Sequence, residues 1–122
     1  MSLQTIWPLI WVTDMQRSLA HYRDGLGFEL VASWELPQGI AWCRLKRGPV
    51  CLMLQVTPGD VPPPVEGQAA ELFILCDDAR ALHAEFVARG IQATQPERME
   101  YDMLQFRVND PDGYPIWFEN PV

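Results

Sequence analysis

Between Thr57 and Gly67 the chain carries Pro58, Gly59, Pro62, Pro63, Pro64 and Gly67, a density that neither a helix nor a sheet interior tolerates. This stretch splits the 122 residues into two halves, and the same order of patterns stands on each side of it. Residues Thr5 to Val12 are apolar, aromatic and in part β-branched, which predicts a strand. Asp14 follows as a helix N-cap, its carboxylate able to accept from the free amides of a first turn. Met15, Leu19, Tyr22 and Leu26 then fall at i, i+4, i+7 and i+11, one apolar stripe, and Gly25 and Gly27 end the helix. Three strand-like stretches come next, Phe28 to Leu36, Ile40 to Lys46 and Val50 to Val56, parted by turns at Pro37-Gln38-Gly39 and Arg47-Gly48-Pro49.

After the Pro-rich stretch the pattern repeats. Glu71 to Cys76 reads as a strand, Asp77 or Asp78 as an N-cap, and Ala79, Leu82 and Phe86 as a helical stripe that Gly90 ends. Ile91 to Thr94, Met103 to Val108 and Tyr114 to Glu119 read as three more strands. The last two are joined by Asn109-Asp110-Pro111-Asp112-Gly113, where Pro presets φ and Gly takes the left-handed conformation. Asp14 matches Asp78 and Tyr22 matches Phe86 at one offset, as a duplicated module requires. The expected organisation is one domain over residues 1–122: a βαβββ module over about 5–56, a linker over 57–68, and a second βαβββ module over about 69–120. Such an order makes an α+β fold of two curved sheets, each with a helix on its outer face.

Apolar residues make up 48% of the chain, enough to bury a core. No apolar run approaches the roughly 18 residues of a membrane span, and the first residues show no export pattern. Asp and Glu outnumber Lys and Arg 16 to 9, for a net charge of -7, which argues against a nucleic-acid partner. Arg44, Lys46 and Arg47 form the one basic cluster and read as a solvated strand face. Cys43, Cys51 and Cys76 lack metal or disulfide spacing and read as reduced thiols of a cytoplasmic protein. His21 and His83 fall on the helices beside the apolar stripes and read as solvated surface residues. No nucleophile–histidine pairing and no phosphate-binding glycine loop is present in the sequence.

The segment Val12 to Phe28, with its Asp14 cap, Ser18-Leu19, Tyr22 and Leu26-Gly27-Phe28 exit, resembles the opening signature of the glyoxalase/bleomycin-resistance/extradiol-dioxygenase superfamily, the vicinal oxygen chelate fold. Asp110-Pro111-Asp112-Gly113-Tyr114 is similar to that family's turn before its final strand. The resemblance implies two βαβββ modules forming an open mixed-sheet barrel around a central cavity, and a homodimer. In metal-using members four inward side chains hold a divalent ion there. Carried onto this chain, those positions are Trp7, Gln55, Glu71 and Trp117. Indole has an N–H donor and no lone pair for a metal, and an amide is a weak ligand. Glu71 alone is an ordinary ligand type, so no metal and no other cofactor is expected.

Strand alternation puts Trp7, Leu9 and Trp11 on one face of the first strand. The same parity turns Cys51, Met53 and Gln55, then Glu71, Phe73 and Leu75, then Trp117 and Glu119, to the cavity, and Trp34 and Trp42 on the middle strands of the first module can join them. The candidate ligand-binding residues are Trp7, Trp11, Trp42, Gln55, Glu71, Phe73 and Trp117, with no catalytic residue. This lining suits a small molecule, heteroaromatic or cationic, held by stacking and cation–π contact. The leading reading is a metal-independent binding protein of the bleomycin-resistance type, Glu71 selecting positive charge. The alternatives are a metal-dependent lyase, isomerase or dioxygenase of the same superfamily, a ligand-free core plugged by its tryptophans, and a structural or regulatory dimer with no ligand.

Overall fold

Two βαβββ modules follow one another along the chain, and the structure, a computed structural model, describes residues 1–57 and 71–122. The first module runs β1 (Leu9–Val12), α1 (Met15–Leu19), β2 (Glu29–Leu36), β3 (Gly39–Arg47) and β4 (Val50–Val56). The second runs β5 (Leu72–Leu75), α2 (Ala79–Ala88), β6 (Glu97–Arg98), β7 (Met103–Asn109) and β8 (Pro115–Pro121). Beyond Thr57 the expected linker lies outside the described residues.

Both helices start where the sequence places them. Asp14 and Asp78 have extended backbones, and each carboxylate accepts from the N–H three residues on, Arg17 and Ala81, at 3.1 Å. α1 widens after Leu19 into a π-helical segment (Ala20–Gly25), in which the Leu26 N–H donates to the His21 carbonyl at 2.9 Å. The stripe Met15, Leu19, Tyr22 and Leu26 is buried along its whole length despite that change of pitch.

The first module's sheet, sheet A, has the order β1-β4-β3-β2; the second's, sheet B, has the order β5-β8-β7-β6. In each, the outer strand before the helix pairs parallel with the last strand and the other pairs are antiparallel. The α+β class and the two-module plan are those expected; the sheets stay open and do not close into a barrel. One face of each sheet packs on its helix, and the core so formed is continuous across the modules, from Val12, Leu45 and Leu54 to Phe86, Phe106 and Phe118.

The tie between modules is polar as well. Asp112, in the β7–β8 turn, accepts from Thr13 Oγ1 at 2.6 Å and from Arg17 Nη2 at 3.1 Å. Tyr22 Oη donates to Asp110 Oδ2 at 2.8 Å. Reciprocally, Arg47 at the end of β3 donates to both Glu85 carboxylate oxygens on α2, at 2.7 and 3.2 Å, and to the Leu26 carbonyl at 2.8 Å.

One expected strand is displaced. Ile91 to Thr94 is not a strand, and the outer strand of sheet B is the short β6 instead. The Thr94 N–H donates to the Arg107 carbonyl at 3.0 Å, but the Arg107 N–H is taken by the Thr94 hydroxyl at 2.7 Å. A side chain thus fills the place of a ladder carbonyl, and Pro96 has no N–H with which to continue.

Candidate functional site

β1 alternates as expected: Ile10 and Val12 are buried against the core while Leu9 and Trp11 lie on the opposite, open face. The ladders extend that face across the sheet. Trp11 is opposite Gln55, Gln55 opposite Trp42, and Trp42 opposite Trp34, so three indoles and an amide form one row over all four strands of sheet A. Trp11 is 42% exposed and Trp34 57%. The next row is Leu9, Met53, Arg44 and Ala32. Trp7 lies just before β1, and the Arg44 guanidinium sits 4.3 Å from its ring centroid.

Sheet B carries a second open face. Phe73 is opposite Trp117 and Trp117 opposite Arg107; the Phe73 and Trp117 rings lie nearly parallel, 9° apart in plane and 5.8 Å between centroids. Phe73 is 51% exposed, and the Arg107 guanidinium stands 5.6 Å from the Trp117 ring. Trp117 Nε1 donates to Glu71 Oε1 at 3.3 Å. The neighbouring row is Leu75, Glu119, Gln105 and Glu97.

The candidate residues therefore fall into two sets: Trp7, Trp11, Trp42 and Gln55 on sheet A, and Glu71, Phe73 and Trp117 on sheet B. A hollow of about 370 Å³ beside β4 and β5 brings Glu71 and Phe73 next to Pro8 and Cys51. A second cavity, of about 550 Å³, lies between the modules and is lined by Phe28, Val50, Ile74, Leu82 and Phe86, with none of the seven candidates on it.

The positions that hold a metal in metal-using relatives do not fit one here. Two are indoles, one of which spends its N–H on Glu71, and Gln55 offers a single amide oxygen. Among the described residues no three His, Cys, Asp or Glu side chains converge on a point where an ion could sit. The histidines are not the solvated residues expected. His21 is half-buried with Nδ1 unpartnered, and burial lowers its pKa to about 4. His83 packs edge-on against Phe106 at 5.3 Å, its Nε2 also without a partner. Nor is the basic cluster one solvated face: Arg44 stacks on Trp7, Arg47 turns the other way to Glu85, and Lys46 alone is exposed. Cys43 is buried, which pushes its thiol up to about 11 and away from nucleophilic use.

The open faces also include Trp34, Arg44, Gln105 and Glu119, which lie outside the seven candidates. Continuing the strand parity of β4 through β3 to β2 identifies the first two; for Glu119 parity gives the face but not the burial.

A family model described as the Glyoxalase/Bleomycin resistance protein/Dioxygenase superfamily matches residues 5–118. Solved structures share the fold over the full chain. SMU.1112c is 22% identical with a TM-score of 0.79, covering 98% of this chain and 100% of that one. TnmS3, an antibiotic binding protein from Streptomyces sp. CB03234, is 23% identical with a TM-score of 0.77, covering 100% and 99%. A bleomycin-binding protein complexed with bleomycin is 22% identical with a TM-score of 0.75, covering 98% and 100%. No curated protein sequence matches the chain. The chain belongs to the glyoxalase/bleomycin resistance protein/dioxygenase superfamily.

Proposed function

We propose that the chain is a single-domain, metal-independent binding protein of the bleomycin-resistance type, which sequesters a flat heteroaromatic or cationic drug or metabolite in the cytoplasm as a homodimer. The observation that carries this reading is the row Trp11, Gln55, Trp42 and Trp34 across an open strand face. Large exposed aromatic surfaces on a globular protein mark sites of interaction. Indole faces suit a planar ring or a cation at roughly 0.5–2 kcal/mol per contact. The binding activities named for TnmS3 and the bleomycin-binding protein support a small-molecule ligand here. The donor set at the metal positions disfavours a metal-dependent lyase, isomerase or dioxygenase.

Ligand binding is read by tryptophan emission and by thermal melting against a panel of antibiotics and metabolites that includes bleomycin. A ligand that binds the folded form must raise the melting temperature, by an amount that grows with its concentration. The expected outcome is saturable quenching by at least one flat or cationic compound, with melting unchanged by chelator. One equivalent of tightly held divalent metal, together with turnover of a vicinal-oxygen substrate, would replace this reading with the enzymatic one.

A further inference from the structure

Glu119 is the most deeply buried carboxylate on either open face, at 9% exposure, and its Oε2 has no hydrogen-bond partner. It stands on the central strand β8 two residues from Trp117, so both side chains point to the same face of sheet B. Across the ladders it is opposite Leu75 on β5 and Gln105 on β7. Gln105 is itself buried, its Oε1 taken by the Tyr101 hydroxyl at 2.6 Å, and beyond it stands Glu97. A polar row of two carboxylates and an amide thus runs beside the aromatic row of Phe73 and Trp117.

A buried acceptor with nothing to accept is costly, and a charged one more so. Glu71 is in a different position: it is exposed, and one of its oxygens already accepts from the Trp117 indole. Resting on the small-molecule reading above, we propose that Glu119, not Glu71, is the group that selects the ligand. It accepts from a protonated, N–H-bearing cation of the amidinium, guanidinium or ammonium class, whose attached ring lies along Phe73 and Trp117. A charge-assisted hydrogen bond in such a place gives discrimination that stacking alone does not. Stacking tolerates any flat ring; the carboxylate rejects one without a donor.

Three probes of one shape test this: 2-naphthamidine, a cation with N–H donors, 2-naphthamide, which is neutral, and 2-naphthoate, an anion. Each is titrated into the parent protein and into Glu119→Gln and Glu71→Gln, with tryptophan emission and calorimetry as readouts. The parent is expected to bind the amidine at least about tenfold more tightly than the amide, and the naphthoate most weakly. Glu119→Gln is expected to bring the amidine and amide affinities together, and Glu71→Gln to leave their ratio as in the parent. Glu119→Asp, which keeps the charge but withdraws it by one methylene, is the second variant if the amide substitution does not fold; it should weaken the amidine selectively. Probes that bind the parent without preference for the cation, or a preference that survives in Glu119→Gln or is lost in Glu71→Gln, would overturn the assignment while leaving the binding reading intact. If none of the three binds the parent, the assignment of Glu119 falls, and the binding reading is decided by the antibiotic and metabolite panel.

Discussion

At the β7–β8 turn the Asp110 carboxylate accepts from Tyr22 Oη and from the backbone N–H groups of Asp112 and Tyr114, at 2.8 to 2.9 Å. Burial raises its pKa even though these three donors pull it down, and burial together with Asp110 raises the Tyr22 pKa well above that of an ordinary phenol. Asp110→Ala leaves the hydroxyl and two amides without their acceptor, and is expected to cost about 3 kcal/mol or more in urea unfolding. Tyr22→Phe removes one donor from a carboxylate that keeps two, and should cost about 1–2 kcal/mol. His21 gives a pH signature. With its pKa lowered from 6.5 to about 4 by burial, the unfolded chain takes up a proton below pH 6.5 that the folded chain refuses until about pH 4. Its effect on stability is therefore nil above pH 6.5, grows as pH falls to about 4, and reaches at most about 3 kcal/mol of destabilisation. His21→Gln should lack that slope, so that the difference between parent and variant stability, taken from urea unfolding at each pH, shows it between pH 6.5 and about 4; parallel curves for parent and variant would contradict it.

At the scale of elements, each helix is held by the hairpin of the other module. Tyr22 and Arg17 meet the β7–β8 turn, and Glu85 of α2 meets Arg47 at the end of β3. The Arg47–Glu85 pair is two-pronged but about one-third exposed on both sides, and Arg89 shares the same carboxylate at 3.2 Å. A double-mutant cycle on Arg47→Ala and Glu85→Ala should thus give a coupling of about 1 kcal/mol, falling with salt. These elements were largely legible in the chain because each rests on local chemistry: an Asp cap, a 3.6-residue stripe, and a Pro-then-Gly turn whose Gly113 sits at φ 92°. The face of β1 was legible too, since alternation needs no partner strand. What escaped depended on the far side of a contact. Ile91 to Thr94 has strand composition, but the Thr94 hydroxyl takes the ladder position. His21 and His83 flank the apolar stripes, and only packing shows that their ring nitrogens are covered. Glu119 has the parity of a pocket residue, yet its buried, unpartnered oxygen follows from the strands on either side.

For the whole molecule, the two open faces differ in charge. Sheet A presents Arg44 and Lys46, with Glu29 opposite Lys46, among its tryptophans; sheet B presents Glu71, Glu97 and Glu119 beside Phe73, Trp117 and Arg107. In one chain the seven candidate residues are divided between those faces. A two-fold dimer that lays sheet A of one protomer over sheet B of the other uses the complementarity twice and closes without leaving an open contact. It would also place both candidate sets around one cavity, making dimerisation and ligand binding a single linked equilibrium. Sedimentation at micromolar concentration is expected to give a dimer that loosens as salt screens the charged faces. In that arrangement Arg44→Glu would bring a carboxylate towards the acidic row, and should shift the protein towards monomer. The same variant should lose affinity for 2-naphthamidine at low protein concentration and regain part of it as the concentration is raised. A monomer that binds the probe as tightly as the dimer would break the link, and with it the idea that the pocket is built from two chains.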